Sequence, residues 1–434
     1  MDVINVGIIG FGTVGAGTIE ILLKNRELIN SRIGCKLHLK KVADIDLERS
    51  RPIEIHSSLL TKDAWELIND PDIHIVAELI GGTDHAKEYI LGAISEGKHV
   101  VTANKALLAE YGKEIFELAQ LKGVSIGFEA SVAGGIPIIK ALKEGICSNR
   151  IKSIRGILNG TSNYILSRMT DEGISYEKAV NEAIRLGYAE DPPTLDVDGT
   201  DAAHKLAILT SLAFGIPMPF KAIYREGISK ITEDDIRYAG EFGYRIKLLA
   251  ISKIIDNEIQ ARVHPCMIPK DHIMAKVDGA FNAIYLEGDF LGPNLYWGMG
   301  AGARPTGSAV VADIINISRI IRSGTNSFLP PLAHFRPFIE DIRIQDMDEL
   351  QSVYYFRFSV IDRPGVLSKI SGILGSHGIS IHSVIQKGRR FGGSVPVVML
   401  THEARERDIK DALSEIDALD VLTDPTVMIR VEEG

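Results

Sequence analysis

Residues Val3-Ile-Asn-Val-Gly-Ile-Ile-Gly10-Phe11-Gly12-Thr13-Val14-Gly15-Ala-Gly-Thr-Ile-Glu-Ile-Leu-Leu23 run from an apolar strand through a glycine turn into a helical pattern. This stretch decides the fold of the first third of the chain. Gly10 permits the tight turn, Gly12 lets backbone approach a pyrophosphate, and Gly15 lets helix pack on strand. The amides of Phe11, Thr13 and Val14 then stand at a helix N-terminus, which favours an anion. Glycine turns also arise from packing alone, but strand before and helix after make this a dinucleotide-binding loop.

Working outward, short β-branched runs alternate with helical stretches. Strands are expected at Val3–Ile9, Lys36–Ala43, Ile73–Leu79, His99–Val101 and Val124–Phe128, with helices at Thr13–Asn25, Asp84–Glu96 and Ala106–Lys122. Such alternation builds βαβ units on a parallel sheet, so residues 1–133 are read as a Rossmann-type, doubly wound α/β domain, completed by a returning helix near 306–322. Residues 134–323 carry longer strands, Ile151–Leu158, Ile246–Ile255 and Ile259–Ile268, with Asp256-Asn257 as a hairpin turn. Helices are expected there at Tyr176–Leu186, Asp201–Phe214 and Thr306–Ile321, giving an α+β domain for substrate and dimerisation. A proline-bearing stretch, 324–350, reads as a linker. Residues 351–434 then trace strand, helix, strand, strand, helix, strand, the βαββαβ ferredoxin-like order.

The 434 residues carry 48 Lys and Arg against 57 Asp and Glu, a net charge of −9, with no basic stripe. Nucleic acid is therefore excluded as a partner. The start lacks a signal-peptide pattern and no apolar run approaches the ~20 residues that span a bilayer. Cys35, Cys147 and Cys266 suit neither a disulfide framework nor a zinc site. A cytoplasmic protein without a membrane partner is expected. Trp65, Trp297 and the scattered methionines read as core or interface.

Three segments carry candidate chemistry. Asp44, ending the second strand, is the candidate for the adenosine ribose and favours NAD; Lys40, Lys41, Arg49 and Arg51 nearby could hold a 2′-phosphate, so NAD and NADP both stay open. Lys105, in Thr102-Ala-Asn104-Lys105, follows a parallel strand and should face the cofactor cleft. Asp201 and Lys205 lie one turn apart on a helix, a pair usually worth only ~0.2–0.5 kcal/mol on a surface. Here the helix follows an acid-dense, proline-stiffened loop, Gly187-Tyr-Ala-Glu190-Asp-Pro192-Pro193-Thr-Leu-Asp196-Val-Asp198-Gly199.

Taken with Phe128-Glu129-Ala-Ser-Val132-Ala-Gly134-Gly-Ile136-Pro, Gly156-Ile-Leu-Asn159-Gly160-Thr161-Ser-Asn163 and Gly300-Ala-Gly302-Ala-Arg304-Pro305-Thr306, these segments resemble homoserine dehydrogenases along essentially the whole chain. The C-terminal part, with Asp362-Arg363-Pro364-Gly365, resembles an ACT domain. In one place the chain departs: the family usually shows Tyr-Ala-Glu-Ala-Asp-Pro-Thr where this chain has Tyr188-Ala-Glu190-Asp191-Pro192-Pro193-Thr194. The loop's length is kept but its second acid has moved by one position.

The resemblance implies reversible NAD(P)H-dependent reduction of aspartate 4-semialdehyde to homoserine. Lys205 would be the proton donor, Asp201 its orienter and a substrate contact, and Lys105 a second cation near the nicotinamide. Glu190 would take the substrate ammonium, with Asn159, Gly160, Thr161 and Asp196 bounding the substrate and Gly187 and Gly302 approaching the cofactor. Read alone, Glu129 to Ile136 is a glycine turn; the resemblance implies a structural sodium ion held by Glu129 and the carbonyls of Val132, Gly134 and Ile136. It also implies a homodimer or homotetramer and threonine as an effector at the ACT domain. The alternatives are another amino-acid dehydrogenase, of saccharopine or aspartate type, and a non-catalytic amino-acid sensor. Absence of the Asn159-Gly160-Thr161 turn and the Lys205 helix would favour the first; retention of Lys105, Glu190, Asp201 and Lys205 together opposes the second.

Overall fold

The computed structural model describes residues 2–324, 329–335, 342–387 and 393–433. In chain order the elements begin with β1 (Val3–Ile9), α1 (Thr13–Lys24), α2 (Arg26–Ile33), β2 (Lys36–Ala43), β3 (Leu60–Thr61), α3 (Ala64–Asn69), β4 (Ile75–Glu78), α4 (Asp84–Ser95), β5 (His99–Thr102), α5 (Lys105–Lys122) and β6 (Ile126–Gly127). They continue with α6 (Ile138–Lys140), β7 (Ile151–Ile157), α7 (Gly160–Glu172), α8 (Tyr176–Arg185), α9 (Thr194–Val197), α10 (Thr200–Phe214), β8 (Tyr224–Arg225), α11 (Glu233–Glu241), β9 (Tyr244–Ile255) and β10 (Glu258–Pro269). After these come β11 (Phe281–Gly288), β12 (Gly292–Met299), α12 (Ala303–Ser323), β13 (Gln351–Ile361), α13 (Val366–Ser376), β14 (Ile381–Gln386), β15 (Ser394–Thr401), β16 (Ala404–Arg405), α14 (Glu406–Asp417) and β17 (Leu422–Val431). The fold class expected from the sequence is the one observed: a parallel Rossmann-type sheet, a mixed second sheet and a C-terminal ACT-type motif.

The chain divides into two compact units that interleave in sequence. The first comprises residues 1–160, 201–223 and 281–342. Its sheet runs β3-β2-β1-β4-β5-β6, every pairing parallel. Helices cover both faces of such a sheet, so its strands are apolar throughout: Ile4, Val6, Ile8, Ile75, Ala77 and Val101 are fully buried. Asn104 starts α5 by accepting the Leu107 amide with its side chain, and Gly123 ends it in the left-handed conformation. Helix α12 returns against α1 at very short range: a Cβ on Gly17 would stand 2.0 Å from the Ala303 carbonyl oxygen. The same unit contains the antiparallel strands β7, β11 and β12.

The second unit comprises residues 161–200, 224–280 and 343–434. Strands β9 and β10 form a long hairpin whose turn residues, Asp256 and Asn257, both have positive φ (50° and 64°). Strand β10 pairs in parallel with β17, and β17, β13, β15 and β14 complete the ladder in that order. Tyr354, Phe356, Phe358, Ile370, Leu374 and Ile409 form the core under α13 and α14. Buried ion pairs also lie in this unit, among them Arg430 with Glu406 and Glu226 and Arg357 with Asp235.

Residues 281–299, whose mixed composition predicts no element, form β11 and β12. The linker expected over 324–350 lies partly outside the described residues. Trp65 and Trp297 are 40% and 56% exposed, so neither is a core residue; Trp297 instead stacks on Phe281 at 4.6 Å. Among the described residues no helix is long and apolar enough to cross a membrane.

Candidate active site

The glycine loop has the geometry its spacing demands. Gly10 holds φ at +105°, a Cβ on Gly15 would stand 2.0 Å from the Gly10 carbonyl oxygen, and the Cβ position of Gly12 is open. The loop is fixed from β2: Asp44 Oδ2 accepts the Phe11 amide at 2.6 Å and Oδ1 accepts the Asp46 amide at 2.9 Å. Arg51 lies over the Phe11 ring at 4.5 Å and donates to the Phe11 carbonyl at 2.9 Å. The basic cluster read beside Asp44 is thereby separated. Lys40 pairs with Asp70 and Asp72 and Lys41 with Glu66, while Arg51 stays beside the loop, 3.5 Å from Asp44.

Asp201 is the hub of the second constellation, all of it within the first unit. It lies in the first turn of α10, one helical turn before Lys205, so both side chains project to one side. Asp201 Oδ2 accepts from Lys205 Nζ at 2.7 Å and from Asn159 Nδ2 at 2.9 Å. Its Oδ1 stands 3.1 Å from Lys105 Nζ, which arrives from the start of α5. Burial by itself would raise the Asp201 carboxyl; the charges of Lys205 and Lys105 and the hydrogen bonds from Lys205 and Asn159 outweigh it and hold the group well below the usual carboxylate range. Lys205 Nζ also donates to the Leu158 carbonyl at 2.6 Å. His204, beside it in sequence, is buried and stacks on Phe220 at 4.3 Å.

In the second unit, the segment 187–199 carries the loop residues. Glu190 is exposed, Gly187 is exposed with φ +75°, and the Asp196 carbonyl accepts from Ser162 Oγ at 2.7 Å. Thr161 Oγ1 donates to the Tyr188 carbonyl at 2.5 Å. Gly160 opens α7, and Gly302, in the first unit, caps α12 with φ +121°.

Glu129 is buried, and its two carboxylate oxygens accept the amides of Ile139 and Lys140 at 2.8 and 2.9 Å. Its own amide donates to Asp313 Oδ2 at 2.8 Å. Burial and the neighbouring Asp313 carboxylate push the Glu129 carboxyl up to about 7, and burial pushes Asp313 up to about 6. Val132 and Ile136 are buried beside it, and Gly134 turns at φ +52°. Crowded negative charge and oxygen donors are what a hard cation takes, so the donor chemistry here fits sodium. Among the described residues no group of three or more His, Cys, Asp or Glu could hold a metal.

Two contributors lie outside the residues that the sequence singles out. The Leu158 carbonyl is backbone, and Asn282, which donates to that same carbonyl at 3.0 Å, is a buried polar residue in the otherwise apolar first half of β11. The polar residue inside Phe281-Asn282-Ala283-Ile284 was the available hint.

The chain matches known proteins along its length. The homoserine dehydrogenase family matches residues 137–315, the homoserine dehydrogenase NAD-binding domain residues 10–129, and the ACT domain residues 354–421. Homoserine dehydrogenase of Neisseria gonorrhoeae is 48% identical over 432 residues, covering 100% of this chain and 99% of that protein. The crystal structure of a homoserine dehydrogenase from Thiobacillus denitrificans superposes with a TM-score of 0.93 at 46% identity, over 99% of this chain and 98% of that one. A hyperthermophilic archaeal homoserine dehydrogenase in complex with NADPH matches at a TM-score of 0.62 and 29% identity, covering 73% of this chain and 98% of that one. The chain belongs to the homoserine dehydrogenase family and is an NAD(P)-dependent oxidoreductase.

Proposed function

Starting from that membership, we propose that this enzyme reversibly reduces L-aspartate 4-semialdehyde to L-homoserine, with Lys205 as the proton donor and acceptor at the substrate's terminal oxygen. The observation that carries the assignment is the convergence of two lysines on the one buried carboxylate of Asp201. A bound nicotinamide supplies or takes the hydride. Negative charge that develops on the substrate oxygen needs a positioned cation able to release a proton, and Lys205, anchored by Asp201 and the Leu158 carbonyl, is held for that task. Lys105 adds a second positive charge, and Asn159 fixes the Asp201 carboxylate.

Glu190 is the group proposed to take the substrate ammonium, a charge-assisted bond suited to a carboxylate. Asn159, Gly160, Thr161 and Asp196 are the proposed boundary of the substrate, and Gly187 and Gly302 that of the cofactor. Phe11 to Gly15 would cradle the pyrophosphate, and Asp44, already bracing that loop, would meet the ribose. Glu129 with the carbonyls of Val132, Gly134 and Ile136 is the proposed sodium site, which would neutralise the paired acids and stiffen the turn. The proposed domains are 1–133 with 306–322, 134–323 and 351–434. A cytoplasmic homodimer or homotetramer with threonine bound at the ACT domain completes the reading. Its place would be the aspartate pathway to threonine, methionine and isoleucine.

The test follows homoserine oxidation at 340 nm with NAD and NADP in parallel, with and without threonine, in the parent and in Lys205→Ala. The expected result is turnover in the parent and its loss in the variant at nearly unchanged cofactor affinity. An unchanged kcat in Lys205→Ala would remove the assignment. If saturating threonine altered neither rate nor thermal stability, the effector reading would be lost.

A further inference from the structure

The carboxyl ends of β4 and β5 lie side by side, with Glu78 in register with Thr102. Glu78 is fully buried. Its Oε2 accepts from Thr102 Oγ1 at 2.6 Å and its Oε1 from the Ile80 amide at 2.9 Å. Thr102 Oγ1 in turn accepts the Asn104 amide at 3.0 Å, and Asn104 Nδ2 donates to the Gly82 carbonyl at 2.7 Å. The next residue is Lys105, 3.1 Å from Asp201. A continuous set of hydrogen bonds therefore links a buried acid to the turn that presents a lysine to the hub.

The polarity of this chain depends on the charge of its first member. A threonine hydroxyl has one proton; given to a carboxylate, it commits the oxygen's lone pairs to the Asn104 amide. A neutral group at position 78 can itself donate to Thr102, which releases the threonine proton and the order that followed from it. Keeping an acid here is costly, since burial outweighs the hydrogen bonds from Thr102 and Ile80 and raises its carboxyl to about 7. A core position that served packing alone would be better filled by an apolar side chain.

We propose that Glu78 is a positioning residue for the reaction: through the Thr102 hydroxyl and the Asn104 amide it fixes the turn that sets Lys105 against Asp201. This rests on the reading of Lys105 as a working cation. The test is a double-mutant cycle in the full-length enzyme, with Glu78→Gln, Lys105→Ala and the pair, each read for kcat, cofactor Kd by fluorescence and thermal unfolding. Glu78→Gln is expected to lower kcat about tenfold in the parent and less than about twofold in Lys105→Ala, the coupling expected of groups in one network. Cofactor Kd and the unfolding temperature of Glu78→Gln should stay near the parent's. An equal fall in both backgrounds, no fall in either, or a change confined to cofactor Kd would overturn the proposal. A Lys105→Ala variant with the parent's kcat would instead overturn the role given to Lys105, which separates the two failures.

Discussion

Asp201→Asn removes the hub's charge while keeping its volume and one oxygen. The Lys205 ammonium lies 2.7 Å from the carboxylate, and both side chains are only 10% exposed, which places the pair among buried ions. Taking one partner from such a pair costs about 3–5 kcal/mol, because the other charge stays buried and uncompensated. Lys105 is 41% exposed, so its 3.1 Å contact adds at most about 1 kcal/mol. Deprotonation of Lys205 in the variant would cap the loss, and it would also remove the proton donor. Either way kcat should fall by about 10²–10⁴, the range for losing an oriented acid. The stability difference has a defined pH window. A carboxyl depressed in the folded state stabilises above its unfolded pKa of about 3.9 and loses that contribution as pH falls towards the folded value. Urea unfolding at pH 7.5 and at about pH 2.5, inside that window, should therefore show a gap between parent and variant that narrows in acid. Homoserine oxidation at 340 nm supplies the rate. A variant with kcat within twofold of the parent and no loss of unfolding free energy at pH 7.5 would refute the assignment of Asp201 as the anchor of Lys205.

Two glycines of the nucleotide loop should separate stability from binding. Gly15→Ala brings a Cβ to 2.0 Å from backbone, where neither side can yield, and should cost about 1–3 kcal/mol or more in thermal or urea unfolding. Gly12→Ala meets nothing within 4 Å, so the fold should keep its unfolding temperature while cofactor Kd, read by fluorescence, rises if the pyrophosphate passes there. His99 takes up its proton at lower pH than an exposed histidine: burial lowers it to about 4, and its Nδ1 accepts the Ser125 amide at 2.9 Å. Stability should thus be full above pH 6.5 and be lost as pH falls through 6.5 towards 4, by up to about 3 kcal/mol at ~1.4 kcal/mol per tenfold. His99→Asn keeps an acceptor without the titration, so its unfolding free energy should change less between pH 7 and pH 5 than the parent's.

The parallel sheet was legible because its signals are local and repeated. Val3–Ile9 and Lys36–Ala43 come out with the expected bounds: aliphatic residues recur along each run, and the first stops at Gly10 and the second at Asp44. Strands β11 and β12 escaped because Phe281–Met299 mixes tyrosine, glycine, asparagine and proline without a clean period of two. At the site, Asp201 and Lys205 were visible as an i,i+4 pair on one helix. Lys105, 96 residues away in sequence from Asp201, was placed only by the rule that ligands gather at strand carboxyl ends. Leu158 could not be read at all, since a backbone carbonyl has no residue identity.

The depressed carboxyl of Asp201 also limits what the hub can do. A group held charged far below any working pH does not exchange protons with substrate, so Asp201 cannot be the general base in the direction of homoserine oxidation. Its constant charge has a different consequence: it keeps two ammonium groups within 3.1 Å of one carboxylate that would otherwise repel each other. In the proposed mechanism proton exchange then falls to the lysines, and their surroundings would divide the work. Lys205 is buried with its ammonium fixed by carboxylate and carbonyl, a geometry suited to directing one proton along one line. Lys105, more exposed and borne on the turn after β5, keeps a charge that salt screens more readily. One carboxylate thus binds Lys105 of α5 to Lys205 of α10, and the proposed chemistry depends on its remaining an anion throughout.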